Sequence, residues 1–237
     1  MAGGPAVSSM QAPVSLLERP VYGMAQVDRL LGLHPGTALR WIDGYERGGR
    51  WYEPVVRLES TGDTIVTWGE FSEARLLAEF RTAGVPMARM RPVVERLRDE
   101  LGVSYPLAMA RPWLEPLGRE LVARMQLEAG LDRRLALVVL RNGQLVLSQG
   151  TEAFVDAVTF EDGAARIIRP DRRFDQVVFD PLRHFGEPIV RSVPTAVVAE
   201  QYRAGDSIEM IADLNSLTTE QVEQAIRYEL GGSTRAA

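Results

Sequence analysis

Apolar residues recur at helical spacing near the start of the chain and predict two short helices. The first helix is marked by four apolar residues within two turns, Met24, Val27, Leu30 and Leu31. Gly32 ends this helix, because glycine is favoured just beyond a helix end. A second helix begins at Pro35 or Gly36, and its spacing predicts Leu39 and Ile42 on the inner face.

Extended segments at residues 55–58 and 64–66 predict a strand pair joined by a polar turn, residues 60–63. Thr67 and Glu70 then match a capping box, which predicts the start of a third helix. A fourth helix is predicted from about Pro86. Pro92 within it predicts a kink or a restart, because proline lacks the N–H of a helix interior. This order of elements is typical of a winged helix-turn-helix.

The middle of the chain changes from helical periodicity to paired extended segments. Strands on either side of Asn142-Gly143 predict one hairpin, because this dipeptide favours a tight turn with positive φ. Asp162-Gly163 predicts a second hairpin in the same way. The segment is therefore interpreted as a small α+β module.

Beyond a short strand at residues 177–179, the terminal segment predicts three short helices. Gly205 ends the first helix. Asp206 with Glu209 is predicted to cap the second helix, and Thr218 with Gln221 to cap the third. Three capped helices in this order resemble another helix-turn-helix.

These patterns predict a mainly helical α+β protein with small β elements. The predicted divisions are a mobile tail at 1–19, a winged helix-turn-helix head at 20–105, a middle α+β module at 106–174 and a helical C-terminal domain at 175–237. A chain of 237 residues is long enough for two or three such units.

Composition excludes several kinds of chemistry. The chain has no cysteine, and its two histidines, His34 and His184, are far apart in sequence, so neither a metal centre nor a cofactor is predicted. All 27 basic residues are arginine, which excludes Schiff-base and P-loop lysine chemistry. The sequence lacks an apolar run long enough to cross a bilayer and a signal-peptide pattern, so a cytoplasmic protein without membrane contact is expected.

Negative charge is concentrated in the terminal segment. Residues 175–237 carry five arginines against ten acidic residues, which equals the whole net charge of −5. The head and the middle module are nearly neutral. An acidic segment repels the phosphates of DNA and favours a basic protein surface. Different partners are therefore expected for the two ends of the chain.

The candidate DNA-binding residues lie on the second predicted helix and around the predicted strand pair. They are Thr37, Arg40, Arg47, Arg50 and Arg57. Arg40 lies one turn after Thr37, on the face opposite the inner residues, where a recognition helix contacts base edges. The other arginines are placed to contact phosphate. For each of them, an ordinary solvent-exposed charge is the alternative interpretation.

The head resembles the winged helix-turn-helix of MerR-type regulators. The resemblance rests on the helix of residues 22–32, the Pro-Gly-Thr-Ala-Leu-Arg-Trp run at 35–41, and Gly84-Val85-Pro86 before an arginine-rich helix. It implies binding to operator DNA. A homodimer is expected because one head reads only a few base pairs and a symmetric pair doubles the buried interface. The chain lacks the long dimerising helix and the cysteine or histidine cluster of typical members, so metal sensing of the usual kind is not expected.

The terminal segment resembles a short antitoxin-type domain encoded beside PIN-like ribonuclease toxins. The matching runs are Val-Val-Phe-Asp-Pro at 177–181, Phe-Gly-Glu-Pro-Ile-Val-Arg at 185–191, Ala-Gly-Asp-Ser-Ile-Glu at 204–209 and Leu-Thr-Thr-Glu-Gln-Val at 217–222. Together with the head, they resemble VapB-type antitoxins. The Gly-Thr-Arg turn common in this domain is replaced here by Ser192-Val193, so a contact of that arginine is not carried over.

The resemblance implies a toxin whose nuclease site consists of carboxylates and a divalent metal. A guanidinium can pair with such carboxylates, and Arg183, Arg191 and Arg203 are the candidate toxin-binding residues. Neutralisation of acids within their own domain is the alternative. Asp180 and His184 are four residues apart, but without a nucleophile or metal set they do not predict catalysis, and the chain is not expected to be an enzyme.

The leading hypothesis is therefore an antitoxin that neutralises a PIN-like ribonuclease toxin encoded nearby and represses its own operon as a homodimer on operator DNA. One alternative is a one-component MerR-like transcription regulator whose middle module binds a small ligand. A second alternative is an interaction scaffold whose helix-turn-helix units no longer contact nucleic acid. A short nuclease gene next to this one would favour the antitoxin.

Overall fold

The computed structural model describes residues 16–171 and 173–234. The helices, in chain order, are α1 (Met24–Leu30), α2 (Thr37–Ile42), α3 (Trp68–Glu79), α4 (Arg91–Leu101), α5 (Arg111–Leu114), α6 (Pro116–Glu128), α7 (Gln149–Ala157), α8 (Thr195–Ala204), α9 (Ile208–Asn215) and α10 (Thr219–Thr234). The strands are β1 (Pro20–Gly23), β2 (Tyr45–Arg47), β3 (Arg50–Tyr52), β4 (Ile65–Thr67), β5 (Val138–Arg141), β6 (Gln144–Leu147), β7 (Val158–Glu161), β8 (Ala164–Ile168), β9 (Val177–Phe179), β10 (Pro188–Val190) and β11 (Val193–Pro194). Helices dominate and the sheets are small, so the predicted α+β fold class is confirmed.

Most of the sheets are two-stranded, and the larger one joins the middle of the chain to its end. β1 pairs with β4, β2 with β3 and β5 with β6, while β7 to β11 form one five-stranded sheet in the order β11-β10-β9-β8-β7. β8 meets β9 through the pair Ile168 and Phe179. The terminal segment is therefore joined to the middle segment by hydrogen bonds between strands as well as by the continuous chain.

Helix α3 lies at the centre of the protein, and every residue from Trp68 to Ala78 in it is buried. The indole nitrogen of Trp68 donates a hydrogen bond to the backbone oxygen of Ala165 at 2.7 Å. The ring of Phe71 packs edge-on against Tyr22 at 4.6 Å and Phe179 at 5.6 Å between ring centroids. One helix thus contacts β1, β8 and β9.

The described residues form two hydrophobic clusters. The larger runs from Leu17 to Phe179 and includes α3 together with residues of the predicted head and middle module. The smaller lies in the terminal segment and contains nine buried residues, Val177, Val190, Val198, Ile211, Ala212, Leu217, Val222, Ala225 and Ile226. The domain division made from the sequence stays a prediction. The larger cluster includes residues of all four predicted divisions, since Leu17 lies in the predicted tail and Phe179 in the predicted C-terminal domain. Residues 1–15 of the predicted mobile tail lie outside the described residues, whereas Leu17 is buried.

Several local predictions are confirmed. The Thr67 hydroxyl accepts a bond from the Glu70 N–H at 3.3 Å, and the Glu70 carboxylate accepts one from the Thr67 N–H at 2.8 Å, which completes the capping box of α3. Thr218 and Gln221 exchange the same pair of bonds before α10. Both hairpins form, with positive φ at Asn142-Gly143 and Asp162-Gly163. A short 3-10 turn, Met87–Met90, precedes α4, so the restart near Pro92 is also present.

The predicted strand at residues 55–58 is wrong, because this segment is a bend. Its β-branched residues are buried for another reason: the N–H groups of Val55 and Val56 bond with the Trp41 oxygen at the end of α2, at 2.7 and 3.0 Å. The hairpin in the wing position is instead β2–β3, with Gly48-Gly49 at its tip. β4 lies close to the second predicted strand but pairs with β1.

Two smaller predictions are also wrong. Leu39 is 42% exposed, because the six-residue α2 buries Ala38, Trp41 and Ile42, which lie three and four positions apart. The cap of α9 is not Asp206 but Ser207, whose hydroxyl accepts a bond from the Met210 N–H at 3.2 Å.

Among the helices that the structure describes, none is long and apolar enough to span a bilayer.

Glu73 in α3 is fully buried, and one of its carboxylate oxygens accepts a bond from the Leu107 N–H at 2.9 Å. Burial raises the pKa of Glu73 to about 8, although that bond and Arg98 oppose the shift. The folded pKa lies above the ordinary value of 4.5, so the stability linked to Glu73 is complete at low pH and is lost as pH rises toward about 8.

We expect Glu73→Gln to stabilise the protein at about pH 8 by about 1–3 kcal/mol, because glutamine keeps the bond to Leu107 without a buried charge. The gain should shrink near pH 5. Thermal unfolding across this range measures it, with the exposed Glu59→Gln as the control. A stability difference between the variant and the native chain that stays constant from pH 5 to pH 8 would show that the pKa of Glu73 is not raised by folding.

Candidate nucleic-acid interface and tail loop

Helix α2 is held against α1 by the carboxylate of Asp28, which is buried at the end of α1. Its two oxygens accept bonds from the backbone N–H groups of Gly36 at 2.6 Å and Ala38 at 2.7 Å. These groups lie at the start of α2, where helix N–H groups have no partner within the helix. A negative charge is also favourable there. Asp28 therefore fixes the orientation of α2 relative to α1.

The outer face of α2 presents Thr37 and Arg40. Arg40 is exposed and donates a bond from its guanidinium to the Thr37 hydroxyl at 3.1 Å. A guanidinium has five N–H donors in a planar fork, so most of them remain directed outward. This is the geometry that a base-reading side chain needs at a major groove.

The hairpin β2–β3 places Arg47 and Arg50 opposite each other at its tip, and both are exposed. At its base, the rings of Tyr45 and Tyr52 stack with 4.8 Å between centroids and 7° between planes. The guanidinium carbon of Arg50 lies 5.3 Å from the Tyr52 ring centroid, within the range of a cation–π contact. The stacked rings hold the hairpin in shape while the cations stay accessible.

Arg57 is placed differently, because its side chain is only 9% exposed. It forms ion pairs at 2.7 Å with both Asp43 and Glu70. Its other donors bond with the Thr61 hydroxyl and with the backbone oxygens of Asp63 and Ile65, at 2.7 to 2.8 Å. Every N–H of this guanidinium has an internal partner. The predicted phosphate contact of Arg57 stays a prediction, and it would require these bonds to break.

Asp43 organises the loop that follows. Burial alone would raise the pKa of Asp43, but bonds from the Thr61 N–H, Arg57, Ser60 and the Gly62 N–H lower it to about 2. The carboxylate is therefore charged at neutral pH and balances the Arg57 guanidinium. This arrangement links the end of α2 to the loop before β4.

Arg91 and Arg98 of α4 also act within the fold. Arg91 donates bonds to the backbone oxygens of Pro54 and Leu58, and Arg98 donates one to Val56 at 2.6 Å. Together they hold the bend that was expected to be a strand. Residue type alone does not distinguish these internal arginines from surface ones, because burial depends on contacts that are distant in sequence.

Two of the three candidate toxin-binding arginines lie together. Arg183 is in the connection between β9 and β10, residues 180–187, which we name the tail loop. It donates a bond to the backbone oxygen of Arg191, in the turn after β10, at 3.1 Å. Arg203 is exposed in the last turn of α8, on a separate element. The structure thus places the Arg183 side chain against the backbone of Arg191. The Nε of Arg183 also lies 3.4 Å from Oδ2 of Asp180, so Arg183 contributes to neutralising an acid of its own domain, which was the alternative interpretation.

Asp180 and His184 have structural contacts. The buried Asp180 forms an ion pair with Arg166 at 2.6 Å and accepts a bond from the Leu182 N–H at 2.8 Å. The Nε2 of His184 lies 2.8 Å from the backbone oxygen of Ser192, so this nitrogen is the donor. Each group therefore anchors one part of the tail loop.

The tail loop contains three consecutive left-handed residues, His184 (φ 44°), Phe185 (φ 54°) and Gly186 (φ 82°). Only glycine adopts this conformation freely, and other residues lose about 1–2 kcal/mol each. The Tyr22 hydroxyl donates a bond to the Gly186 oxygen, and a β-carbon at position 186 would lie 2.7 Å from that hydroxyl. The loop is thus packed against β1 of the head.

Two family models match separate parts of the chain. Residues 20–94 match the family model described as "Putative DNA-binding HTH domain". Residues 177–228 match the model described as "Protein of unknown function (DUF433)". The chain therefore has a helix-turn-helix domain in its first part and a DUF433 domain in its last part.

Relatives in Mycobacterium tuberculosis match nearly the whole chain. The uncharacterized protein Rv2308 is 38% identical over 90% of this chain and 92% of its own length. The protein named "Putative antitoxin VapB45" is 31% identical over 87% of this chain and 92% of its own length. The crystal structure of Rv2018 superposes with a TM-score of 0.69 at 29% identity, covering 87% of this chain and 97% of that one.

The geometry separates Arg57 from Arg50 in a way that can be measured. We expect Arg57→Ala to lower the free energy of unfolding by about 3–5 kcal/mol, because two buried carboxylates lose their partner. Arg50→Ala removes only an exposed cation–π contact, and should cost about 0.5–1 kcal/mol. Chemical denaturation of the two variants measures the difference. Equal stability of both variants would show that the Arg57 network contributes little to the fold.

Proposed function

We propose a function on one premise: this chain belongs to the same protein family as Rv2308 and VapB45 of Mycobacterium tuberculosis. On that basis it is an antitoxin that binds operator DNA through its head and neutralises a PIN-like ribonuclease through its terminal segment. The observation that carries the proposal is the spatial separation of two sets of exposed arginines. One set lies on α2 and the β2–β3 hairpin, and the other around the tail loop.

The DNA-binding part of the proposal rests on α2 and the hairpin. Arg40 projects from α2 beside Thr37, and Arg47 and Arg50 extend from the hairpin tip. In a winged helix-turn-helix these elements contact the major groove and the neighbouring phosphates. The head is nearly neutral in total. Its charge is nevertheless unevenly distributed. Arg57 pairs with buried carboxylates and Arg98 donates bonds to backbone oxygens, while the exposed arginines face solvent.

A homodimer is part of the proposal, because one short recognition helix reads few base pairs. Two copies on a symmetric operator double the contacts and the buried surface. The MerR-like character of the head is likewise proposed, on the order of its elements and on the sequence at residues 22–32, 35–41 and 84–86. α4 has eleven residues, and the sixteen-residue α10 packs on α8 and α9 of the terminal segment, so neither helix matches the long dimerising helix of typical MerR members.

Neutralisation of a ribonuclease rests on Arg183 and Arg191, the first of which lies against the backbone of the second in an otherwise acidic segment. Arg203 is kept as a third candidate on α8. A guanidinium pairs well with the clustered carboxylates of a metal-dependent nuclease. This role requires binding and no turnover, so the chain is proposed to act without catalysis.

A small-ligand regulator is the second candidate, and two cavities bear on it. One of about 610 Å³ is lined by residues between Val56 and Tyr105 and lies within the predicted head. Another, of about 390 Å³, is lined by residues between Glu100 and Arg124, most of them in the middle module. The antitoxin proposal accounts for both sets of exposed arginines, and we prefer it.

We expect Arg40→Ala to relax sequence preference and to weaken operator binding by about 1–3 kcal/mol, because a base contact is lost. Arg50→Ala should weaken binding to all DNA sequences and reduce the salt dependence, because a phosphate contact is lost. Gel-shift titrations at several salt concentrations, with DNA from upstream of the gene, test both. Unchanged binding by Arg40→Ala would show that α2 is not the recognition helix.

The toxin contact can be tested in the full chain. Arg191 has a left-handed backbone (φ 57°), and asparagine tolerates this conformation, so Arg191→Asn removes the guanidinium with little strain. We expect it to weaken the complex with the product of the adjacent open reading frame by about tenfold or more. Inhibition of RNA cleavage and calorimetry measure this, with the exposed Arg141→Gln of β5 as the control. An equal loss in both variants would indicate a general charge effect.

A further inference from the structure

We propose that the tail loop is the docking surface for the ribonuclease partner, and that Leu182 and Phe185 are its apolar anchors. This inference rests on the proposed function and goes beyond the arginines named for it. The arginines supply charge-assisted bonds, whereas Leu182 and Phe185 supply apolar surface that a pocket on the partner can bury.

The first observation is exposure. Phe185 is 78% exposed and Leu182 is 53% exposed, and they are three residues apart in the same loop. An aromatic ring in this position contributes little to the folded monomer, because most of its surface stays in water. The same ring contributes strongly when a partner pocket covers it, since aromatic residues are enriched among interface hot spots.

The second observation is the rigidity of the loop around these side chains. Arg166 and the Leu182 N–H hold its start through Asp180, at 2.6 and 2.8 Å. Tyr22 holds its end through the Gly186 oxygen. His184 and Arg183 tie it to the turn after β10, at 2.8 and 3.1 Å. A loop already fixed in this way loses little conformational entropy when a partner binds.

The third observation is backbone strain at the exposed residue itself. Phe185 adopts φ 54° and ψ 30°, a left-handed conformation that glycine or asparagine would adopt more easily. Phe185 thus has a strained backbone and an exposed side chain. Neither backbone preference nor core packing explains why phenylalanine occupies this position. Strained residues of this kind concentrate where a surface binds a ligand or partner.

The exposed charges in and beside the tail loop favour an acidic partner surface. Residues 180–191 carry two arginines and two acids, Asp180 and Glu187, within a terminal segment that has five arginines and ten acids. Asp180 is buried and lies 2.6 Å from Arg166 and 3.4 Å from Arg183, so the exposed charged side chains are those of Arg183, Arg191 and Glu187. Arg183 is 57% exposed and also lies against the backbone of Arg191. The complementary surface is therefore an apolar pocket bordered by carboxylates, which matches a protein with an acidic metal-binding nuclease site. DNA matches less well, because it offers phosphates but no pocket for Phe185.

The test compares three variants of the full chain for binding to the purified product of the adjacent open reading frame. Phe185→Ala removes the anchor, and Phe185→Gly removes both the anchor and the strain. Leu127→Ala is the control, because Leu127 on α6 is 81% exposed and lies outside the terminal segment. We expect both Phe185 variants to bind about 30-fold more weakly, mainly through faster dissociation, and the control to bind normally.

Thermal unfolding separates anchoring from folding, since Phe185→Gly should be at least as stable as the native chain. If both Phe185 variants bind with the same affinity as the native chain, the loop is not the docking surface, and the proposed function is unaffected. If the native chain does not bind at all, the proposed function itself is wrong. Loss of operator binding, or a changed oligomeric state with normal toxin affinity, would assign the loop to DNA or to a second copy and overturn this inference.

Discussion

The burial of α3 on all sides is the constraint on which the rest of the structure depends. A helix with one apolar stripe packs against one neighbour. Every residue of α3 from Trp68 to Ala78 is buried, so other elements must pack against all of its faces. Trp68 reaches β8 through the Ala165 oxygen, and Phe71 packs between Tyr22 and Phe179. Strands from the first, middle and last parts of the chain are therefore positioned by one element.

Such burial also explains how the arginines are divided. Glu70 and Asp43 lie below the surface, and an unpaired charge there is costly. One Arg57 guanidinium serves both carboxylates and three further acceptors, which a lysine could not do with three donors. The arginines used inside the head are thus removed from its surface charge. Of the arginines that remain exposed, Arg40 lies on α2 and Arg47 and Arg50 lie on the β2–β3 hairpin, and the others are on α1 and the turns before α4.

Features set by neighbouring residues could be predicted from the sequence. The Thr67–Glu70 capping box and the Asn142-Gly143 turn depend on side chains a few positions apart, so local chemistry identifies them. Features set by distant contacts could not. The Val55-Val56 run looks like a strand, but the Trp41 oxygen accepts bonds from its N–H groups. Leu39 looks internal, but the buried face of α2 consists of Ala38, Trp41 and Ile42. Phe185 gave no signal, because only the folded loop shows that it is strained and exposed.

The bond between Tyr22 and Gly186 joins the two candidate interfaces through the core. Tyr22 lies in β1, which leads directly into α1 and, through Asp28, positions α2. Gly186 closes the tail loop, where even a β-carbon would press on the Tyr22 hydroxyl at 2.7 Å. Because Tyr22 also packs on Phe71 of α3, neither surface can shift far without disturbing the same buried cluster. The helix that would read DNA and the loop that would dock on a ribonuclease are therefore held in a fixed relation by packed side chains, which a flexible linker could not provide.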